Sequence, residues 1–257
     1  LGKVISYVDI ASSASPEEVK SLFSHTVDVG IEHGTVLVLH HHDSYEVTTF
    51  RTEGTYQDFR HPYSVTFVRS LEEDLMRRDF TINALAVNDK EEIVDYFGGI
   101  EDLEREIIRC VGNPLERFNE DALRMMRAVR FAGQLGFSIE SDTFNAIRTL
   151  KANLERVAVE RMKVEFEKMI LSPHRALAFK AFVESELYHS CPDFKEAKET
   201  LLKIGAFPLE RFTITQAWIL FAYHEQLTVP QLRKVLKDWK SSNEQISTIL
   251  TGYQTLL

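Results

Sequence analysis

Cationic side chains are concentrated in two short tracts of this chain. The first runs from Arg77 to Leu85 and reads RRDFTINAL, and the second runs from Glu120 to Arg130 and reads EDALRMMRAVR. Guanidinium groups donate hydrogen bonds in a planar fork that suits phosphate oxygens, whereas carboxylates accept hydrogen bonds. A cluster of such cations beside a carboxylate is the chemistry needed to hold a nucleoside triphosphate by its phosphates and to contact its base.

The second tract has the spacing of a helix with one polar side. Polar residues recur every three positions, which aligns them along that side: Asp121, Arg124, Arg127 and Arg130. The apolar residues, beginning with Leu123, fall on another side. An aspartate and an arginine one turn apart would present an acceptor and donors to a flat base edge, and the other arginines would suit phosphate oxygens. The alternative, from this tract alone, is an amphipathic helix whose salt bridges face solvent.

Two further carboxylates lie on predicted strands near the start of the chain. Asp9 ends the strand predicted over residues 4–10, and Glu46 lies on a later strand that could pair nearby. Residues two apart on a strand share a face, so an acid at position 7 would complete a pair able to hold Mg²⁺. Position 7 is Tyr7, whose neutral phenol is a poor magnesium ligand. Without other signals, metal binding is not the only explanation for these acids. Asp9 would also suit a turn, and Glu46 would also suit a solvent-facing strand position.

Length and composition restrict the class of protein. The 257 residues suffice for one large or two modest domains, and a hydrophobic content of 44% supports a core. No apolar run approaches the roughly 20 residues of a membrane span, and no secretory signal opens the chain. Cys110 and Cys191 lack metal-ligand spacing, which predicts reduced thiols in the cytoplasm. A net charge of −9 argues against indiscriminate nucleic-acid binding but is compatible with a local basic groove.

The elements that must position these side chains change in kind along the chain. Strand-like segments dominate the first part, with an early helix opened by Ser15 and Pro16, up to a turn at Gly98-Gly99. From residue 101 onward the periodicity is helical, with one continuous helix predicted over residues 117–134. Strands first and helices second predict an α+β fold, with a small mixed head that contains a β-sheet and an all-helical remainder.

The chain resembles bacterial class II tRNA nucleotidyltransferases, the CCA-adding enzymes, and the related bacterial poly(A) polymerases. The matching tracts are Val8 to Ala11, Glu32 to Val36, Tyr45 to Thr52, Glu72 to Ala86, Asp95 to Gly99, Glu120 to Gly136 and Val159 to Met169. Several independent motifs in one order are more specific than a single short pattern. The resemblance implies a nucleotidyltransferase head over 1–95, a helical neck with the base-selecting helix over 96–155, and a helical RNA-binding body over 156–257. We expect the family's Gly-Gly and Arg-Asp segment to precede Leu1 and its tail to extend past the C-terminus.

The resemblance also assigns roles to the acidic positions and to a later brace. Asp9 matches the second acid of a metal-binding Asp-x-Asp motif, whose partner position Tyr7 occupies, and Glu46 matches the third acid. Both would be catalytic. Glu160 and Arg161, with Lys163 and Glu165, resemble a later helical motif that braces the base-selecting helix.

Seven further positions match nucleotide-binding residues of the family: Arg78, Asp79, Asn83, Asp121, Arg124, Arg127 and Arg130. Arg78 corresponds to a triphosphate ligand, and Asp79 and Asn83 belong to a motif that monitors the ribose. Asp121 and Arg124 correspond to a protein template that pairs with the Watson-Crick edge of CTP or ATP. Arg127 and Arg130 correspond to nucleotide-binding arginines of the same base-selecting helix.

The implied function is template-independent transfer of CMP and AMP from CTP and ATP to the 3′ end of tRNA, with Mg²⁺ as cofactor and no membrane partner. One alternative is an enzyme that adds only A, to tRNA or as a poly(A) polymerase. The other is a catalytically impaired nucleotide- or RNA-binding module, because Tyr7 replaces a metal-binding acid. The resemblance leaves the oligomeric state open, with a homodimer as one alternative.

Overall fold

The computed structural model describes residues 8–54, 64–208 and 210–257. Tyr7 and the first part of the strand predicted over residues 4–10 therefore lie outside the described residues. The described part of that strand, β1, spans Asp9–Ser12.

A four-stranded sheet forms the first part of the described chain. After β1 come α1 (Pro16–Leu22), β2 (Thr26–Gly30), a 3₁₀ turn (Ile31–His33), β3 (Thr35–His40) and β4 (Asp43–Thr49). The strand order is β1-β4-β3-β2, with β1 parallel to β4 and the other neighbours antiparallel. The predicted start of α1 is confirmed, because Ser15 and Glu18 form a reciprocal capping box. The β3–β4 hairpin is also confirmed, whereas β2 was not predicted.

The two faces of this sheet have different environments. Val19 of α1 packs against buried Val36, Val38 and Val47, so the helix covers one face. Side chains alternate between faces along a strand. Glu46 therefore lies on the face opposite to Val47, which α1 leaves uncovered.

Short strands and one helix connect the sheet to the helical part. They are β5 (Arg51–Glu53), β6 (Val65–Phe67), α2 (Leu71–Met76), a 3₁₀ turn (Thr81–Asn83), β7 (Leu85–Val87) and β8 (Ile93–Asp95). β5 pairs with β6 and β7 pairs with β8, each pair antiparallel. The first cationic tract thus begins where α2 ends.

Asp95 ends β8 and holds the start of the next helix. Its carboxylate accepts hydrogen bonds from the backbone N–H groups of Gly99 at 2.9 Å and Ile100 at 3.0 Å. Burial alone would raise the pKa of Asp95, but the backbone N–H groups of Ile100, Gly99, Phe97 and Gly98 outweigh it and lower the pKa below its usual value.

The rest of the described chain is mainly helical. The elements are α3 (Gly99–Glu104), β9 (Ile107–Ile108), α4 (Pro114–Glu120), α5 (Leu123–Leu135), β10 (Ser138–Ile139), α6 (Ser141–Leu150), a 3₁₀ helix (Lys151–Arg156), α7 (Val159–Ile170), α8 (Arg175–Glu184), a 3₁₀ turn (Leu187–Ser190), α9 (Lys198–Ala206), α10 (Ile214–His224), α11 (Val229–Asp238) and α12 (Asn243–Leu256). The α+β class is confirmed. The expectation of helix alone after residue 101 is wrong in one detail, because β9 and β10 form a short parallel pair. The domain boundaries remain predictions. Within the described ranges, no helix is both long and apolar enough to cross a bilayer.

The continuous helix predicted over residues 117–134 is wrong at Asp121. Helix α4 ends at Glu120, and Asp121 has extended backbone angles, with φ −141° and ψ 105°. Its side chain accepts a hydrogen bond from the N–H of Leu123 at 3.1 Å, the residue that begins α5. Aspartate side chains compete for local backbone N–H groups in this way, which favours helix ends over helix interiors. Asp121 therefore lies beside the first turn of α5 rather than on its polar side.

Helix α5 is anchored in the core of the helical part. Met125, Met126 and Val129 are fully buried, which agrees with the apolar side expected from the sequence. Gly133 allows α5 to approach α8 closely, because a Cβ atom at this position would lie 2.6 Å from the Cβ of Ala178. The opposite side of α5 is left to face the sheet-containing part.

Candidate nucleotide-binding cleft

A cleft of about 1890 Å³ separates the sheet-containing part from α5. The nucleotide-binding and catalytic candidates that line it are Asp9, Arg78, Asp79, Asn83, Asp121, Arg124, Arg127 and Arg130. Eight basic and five acidic side chains contribute to the described lining, whereas the whole chain has a net charge of −9. The cleft is therefore a local basic surface on an acidic protein, and it suits a polyanion.

The two candidate catalytic acids are register partners on neighbouring strands. Asp9 of β1 is paired with Glu46 of β4 in the parallel ladder, so their side chains project from the same face. Both residues are exposed. Asp9 lines the cleft and Glu46 is not among its lining residues. Two exposed carboxylates side by side on one face offer the hard oxygen ligands that Mg²⁺ prefers.

The arginines at the end of α2 surround a buried carboxylate. Asp74 accepts hydrogen bonds from Nη2 of Arg77 at 3.2 Å and Nη2 of Arg78 at 3.4 Å, and from the backbone N–H of Arg51 at 3.1 Å. Burial, followed by the neighbouring charge of Arg77, lowers the pKa of the Arg51 guanidinium. Neither Asp74 nor Arg51 was predicted as a site residue, although both lie within the tracts that carry the resemblance.

Asp79 connects the first cationic tract to α5. Its Oδ1 accepts hydrogen bonds from the N–H of Phe80 at 2.8 Å and Nδ2 of Asn83 at 3.0 Å, and its Oδ2 accepts one from Nε of Arg127 at 2.7 Å. Asp79 is only 8% exposed. It therefore positions Asn83 and Arg127 along the cleft.

Asp121 is held by the predicted brace. Arg161 donates two hydrogen bonds to it, from Nη1 to Oδ1 at 3.2 Å and from Nη2 to Oδ2 at 2.8 Å. This bidentate geometry fixes the plane of the carboxylate. An ionised carboxylate can accept about four hydrogen bonds, and Asp121 receives these two and the one from Leu123. Counting donors from the described residues, Asp121 has room for one further donor from the cleft.

Arg124 is nearly buried at the start of α5. Its Nη1 donates to Oε2 of Glu120 at 2.6 Å, and its Nη2 donates to the carbonyl oxygen of Arg77 at 3.1 Å. The alternative of a solvent-facing salt-bridge helix is therefore wrong, because this side of α5 contacts the first tract and faces the cleft.

Arg130 lies further along the same helix and is bound on two sides. Its guanidinium donates to Glu165 of α7 and to Gln134. It also lies over the ring of Phe131, with Cζ 3.9 Å from the ring centroid, a favourable cation–π distance. Arg130 thus lines the cleft with its position fixed by α7.

Comparison with known proteins agrees with this arrangement. Residues 1–109 match the family described as Poly A polymerase head domain, and residues 136–198 match the family described as Probable RNA and SrmB- binding site of polymerase A. The CCA-adding enzyme of Enterococcus faecalis is 54% identical over 250 residues, which are 97% of this chain and 62% of that protein. The CCA-adding enzyme of Ligilactobacillus salivarius is 52% identical over 255 residues, which are 98% of this chain and 63% of that protein.

Among solved structures, the Bacillus stearothermophilus CCA-adding enzyme in complex with CTP superposes with a TM-score of 0.90 at 42% sequence identity. The match covers 99% of this chain and 62% of that one. The chain thus spans less than two thirds of the length of these relatives. Sequence, fold and cleft agree, and the chain belongs to the family of bacterial CCA-adding enzymes and poly(A) polymerases.

Proposed function

We propose that the protein transfers CMP and AMP from CTP and ATP to the 3′ end of tRNA without a nucleic-acid template. One observation carries this proposal: a single cleft gathers the strand acid Asp9, the arginines of both tracts, and the Asp121–Arg124 pair. The related B. stearothermophilus enzyme was solved with CTP bound. Such an activity would act on tRNA in the cytoplasm.

Asp121 and Arg124 supply the complementarity that base selection needs. Cytosine and adenine each present an exocyclic amino donor beside a ring-nitrogen acceptor, whereas uracil and guanine present a carbonyl beside a ring N–H. A carboxylate next to a guanidinium accepts from the amino group and donates to the ring nitrogen. The same two side chains would therefore accept C and A and reject U and G.

The remaining arginines suit the triphosphate. Arg78 lies at the end of α2, and Arg127 and Arg130 lie on α5, so cations reach the cleft from both walls. In phosphoryl and nucleotidyl transfer the protein acts mainly by positioning the groups and by offsetting negative charge. Arginines already fixed by Asp79 and Glu165 can do this without first being ordered by the nucleotide.

Asp9 and Glu46 are the residues that would hold Mg²⁺. When bound, the ion would lower the pKa of the attacking ribose hydroxyl and stabilise the pyrophosphate leaving group. Their pairing on one exposed face fits a hard cation. Tyr7, which lies outside the described residues, is the one position of the motif that does not supply a carboxylate.

The test uses labelled CTP, ATP, UTP and GTP separately, with tRNA transcripts that end before CCA or after CC. We expect CMP to be added to the first transcript and AMP to the second, with little incorporation from UTP or GTP. Addition of AMP without CMP would indicate the A-adding alternative. Selective CTP binding with no incorporation, even in excess Mg²⁺, would indicate the non-catalytic module.

A further inference from the structure

We propose that Arg117, a residue of α4 that does not line the cleft, is a positioning residue for base selection. It fixes Glu120, and Glu120 fixes the direction of the Arg124 guanidinium. This inference rests on the proposed function, in which Arg124 contacts the base.

The two arginines share one carboxylate. Glu120 accepts a hydrogen bond at Oε1 from Nη2 of Arg117 at 2.5 Å, and at Oε2 from Nη1 of Arg124 at 2.6 Å. Each oxygen is occupied by a different guanidinium, so the carboxylate cannot rotate toward one arginine without leaving the other. Charge-assisted contacts of this kind are stronger and shorter than neutral hydrogen bonds.

The same two arginines also share the end of α2. Nη1 of Arg117 donates to the carbonyl oxygen of Met76 at 3.1 Å, and Nη2 of Arg124 donates to that of Arg77, also at 3.1 Å. Cations near a helix C-terminus are stabilised by its unpaired carbonyl groups. Arg117 thus has two anchors, the Glu120 carboxylate and the end of α2. Arg124 shares both, and its Nη1 also donates to the backbone carbonyl oxygen of Arg117 at 3.3 Å, a contact that a side-chain substitution at position 117 leaves in place.

Loss of the Arg117 side chain would leave the Glu120 carboxylate in place but no longer fixed. Glu120 is 25% exposed at its side chain and Arg117 is 15% exposed. With Oε1 free, Glu120 could bind Arg124 through both oxygens, a geometry that carboxylates and guanidinium groups favour. This pairing would turn the Arg124 fork and move its donors relative to Asp121. Base discrimination would fall, while Asp9 and Glu46 would be unaffected because they lie on the sheet.

The experiment measures CTP and UTP affinities by titration calorimetry for the wild-type chain, Arg117→Ala and Arg117→Lys. Arg175→Ala is the matched control, because its guanidinium is also anchored twice, to the carbonyl oxygen of Phe207 at 2.8 Å and over the ring of Phe212, and it does not line the cleft. Circular dichroism and thermal denaturation establish that each variant is folded.

We expect the ratio of CTP to UTP affinity to fall about tenfold in Arg117→Ala, the scale of one charge-assisted hydrogen bond. Arg117→Lys should give an intermediate ratio, because an ammonium group can keep one of the two anchors, and Arg175→Ala should keep the wild-type ratio.

A wild-type ratio in folded Arg117→Ala would overturn the inference. So would an equal fall in Arg117→Ala and Arg175→Ala that follows lost stability, because that would indicate a merely structural role. If the alanine variant does not fold, an unchanged ratio in Arg117→Lys would overturn it. A wild-type chain that binds UTP as well as CTP would instead refute the proposed function itself.

Discussion

Replacement of Asp79 by asparagine should uncouple the first cationic tract from α5. Asparagine has nearly the same shape, so the nearly buried site can accommodate it without a cavity. The amide oxygen can still accept from Phe80 and Asn83, as Oδ1 does now. The amide nitrogen would then face Nε of Arg127, so that one hydrogen-bond donor opposes another.

The expected loss follows from one charge-assisted hydrogen bond. Such a bond contributes about 1.5–3 kcal/mol when it is buried. Arg127 is 33% exposed at its side chain, so water can partly replace the lost acceptor and the lower limit applies. We therefore expect the free energy of unfolding to fall by about 1.5 kcal/mol, and CTP to bind about tenfold more weakly because Arg127 is no longer held in the cleft.

Urea denaturation and calorimetry with CTP test this in a double-mutant cycle of Asp79→Asn and Arg127→Ala. We expect a coupling free energy of about 1 kcal/mol between the two positions. Glu101→Gln is the control, because the Arg105–Glu101 pair is 63% exposed on both sides and should change stability by less than about 0.5 kcal/mol. Additive effects, or a stability of Asp79→Asn equal to wild type, would refute the reasoning.

Three further predictions concern Arg124, Asp95 and Tyr7. Arg124→Ala should reduce base selectivity more than the rate of the remaining reaction, and unchanged selectivity in nucleotide incorporation assays would contradict its assigned role. Since hydrogen bonds from backbone N–H groups lower the pKa of Asp95, its carboxylate stabilises the folded state above about pH 4, and this contribution is lost as the pH falls through the folded-state pKa. Asp95→Asn should therefore lower the free energy of unfolding by about 1 kcal/mol at pH 7. In urea melts from pH 7 to pH 3, the difference in free energy of unfolding between wild type and Asp95→Asn should narrow below about pH 4. A difference that stays constant with pH would exclude the carboxylate charge as its cause. Tyr7→Asp should raise Mg²⁺-dependent CMP incorporation by restoring an acid two positions before Asp9, and no gain would place the metal site elsewhere.

Features with local signals were predicted well from the sequence. The cap of α1 depends on Ser15 and Glu18, which are three residues apart, and the β3–β4 hairpin depends on adjacent apolar segments. The apolar side of α5 also followed from spacing, because Met126 and Val129 are buried against the helical core. In each case the residues that determine the structure are neighbours in the chain.

Two kinds of feature were not predicted: those in which a side chain competes for backbone hydrogen bonds, and those that depend on partners distant in the sequence. Helical periodicity continues through Asp121, but its side chain binds the Leu123 N–H and the helix breaks there. The edge strand β2 was missed because it is short and leaves Val27 and Val29 exposed, so it carries little burial signal. The partner of Arg127 is 48 residues away, and no spacing rule relates the two positions.

The ion pairs along α5 explain how so many cations can line one cleft. Neighbouring guanidinium groups repel one another, and this repulsion would open the cleft if it were not offset. Four charged residues on this wall each have an oppositely charged partner on a different helix or segment: Asp121 with Arg161, Arg124 with Glu120, Arg127 with Asp79, and Arg130 with Glu165. These partners hold the side chains in place and leave the lining with a net positive charge. Under the proposed function, a nucleotide would bind donors and acceptors that are already oriented, so less conformational entropy would be lost on binding and fixed geometry would reject a wrong base.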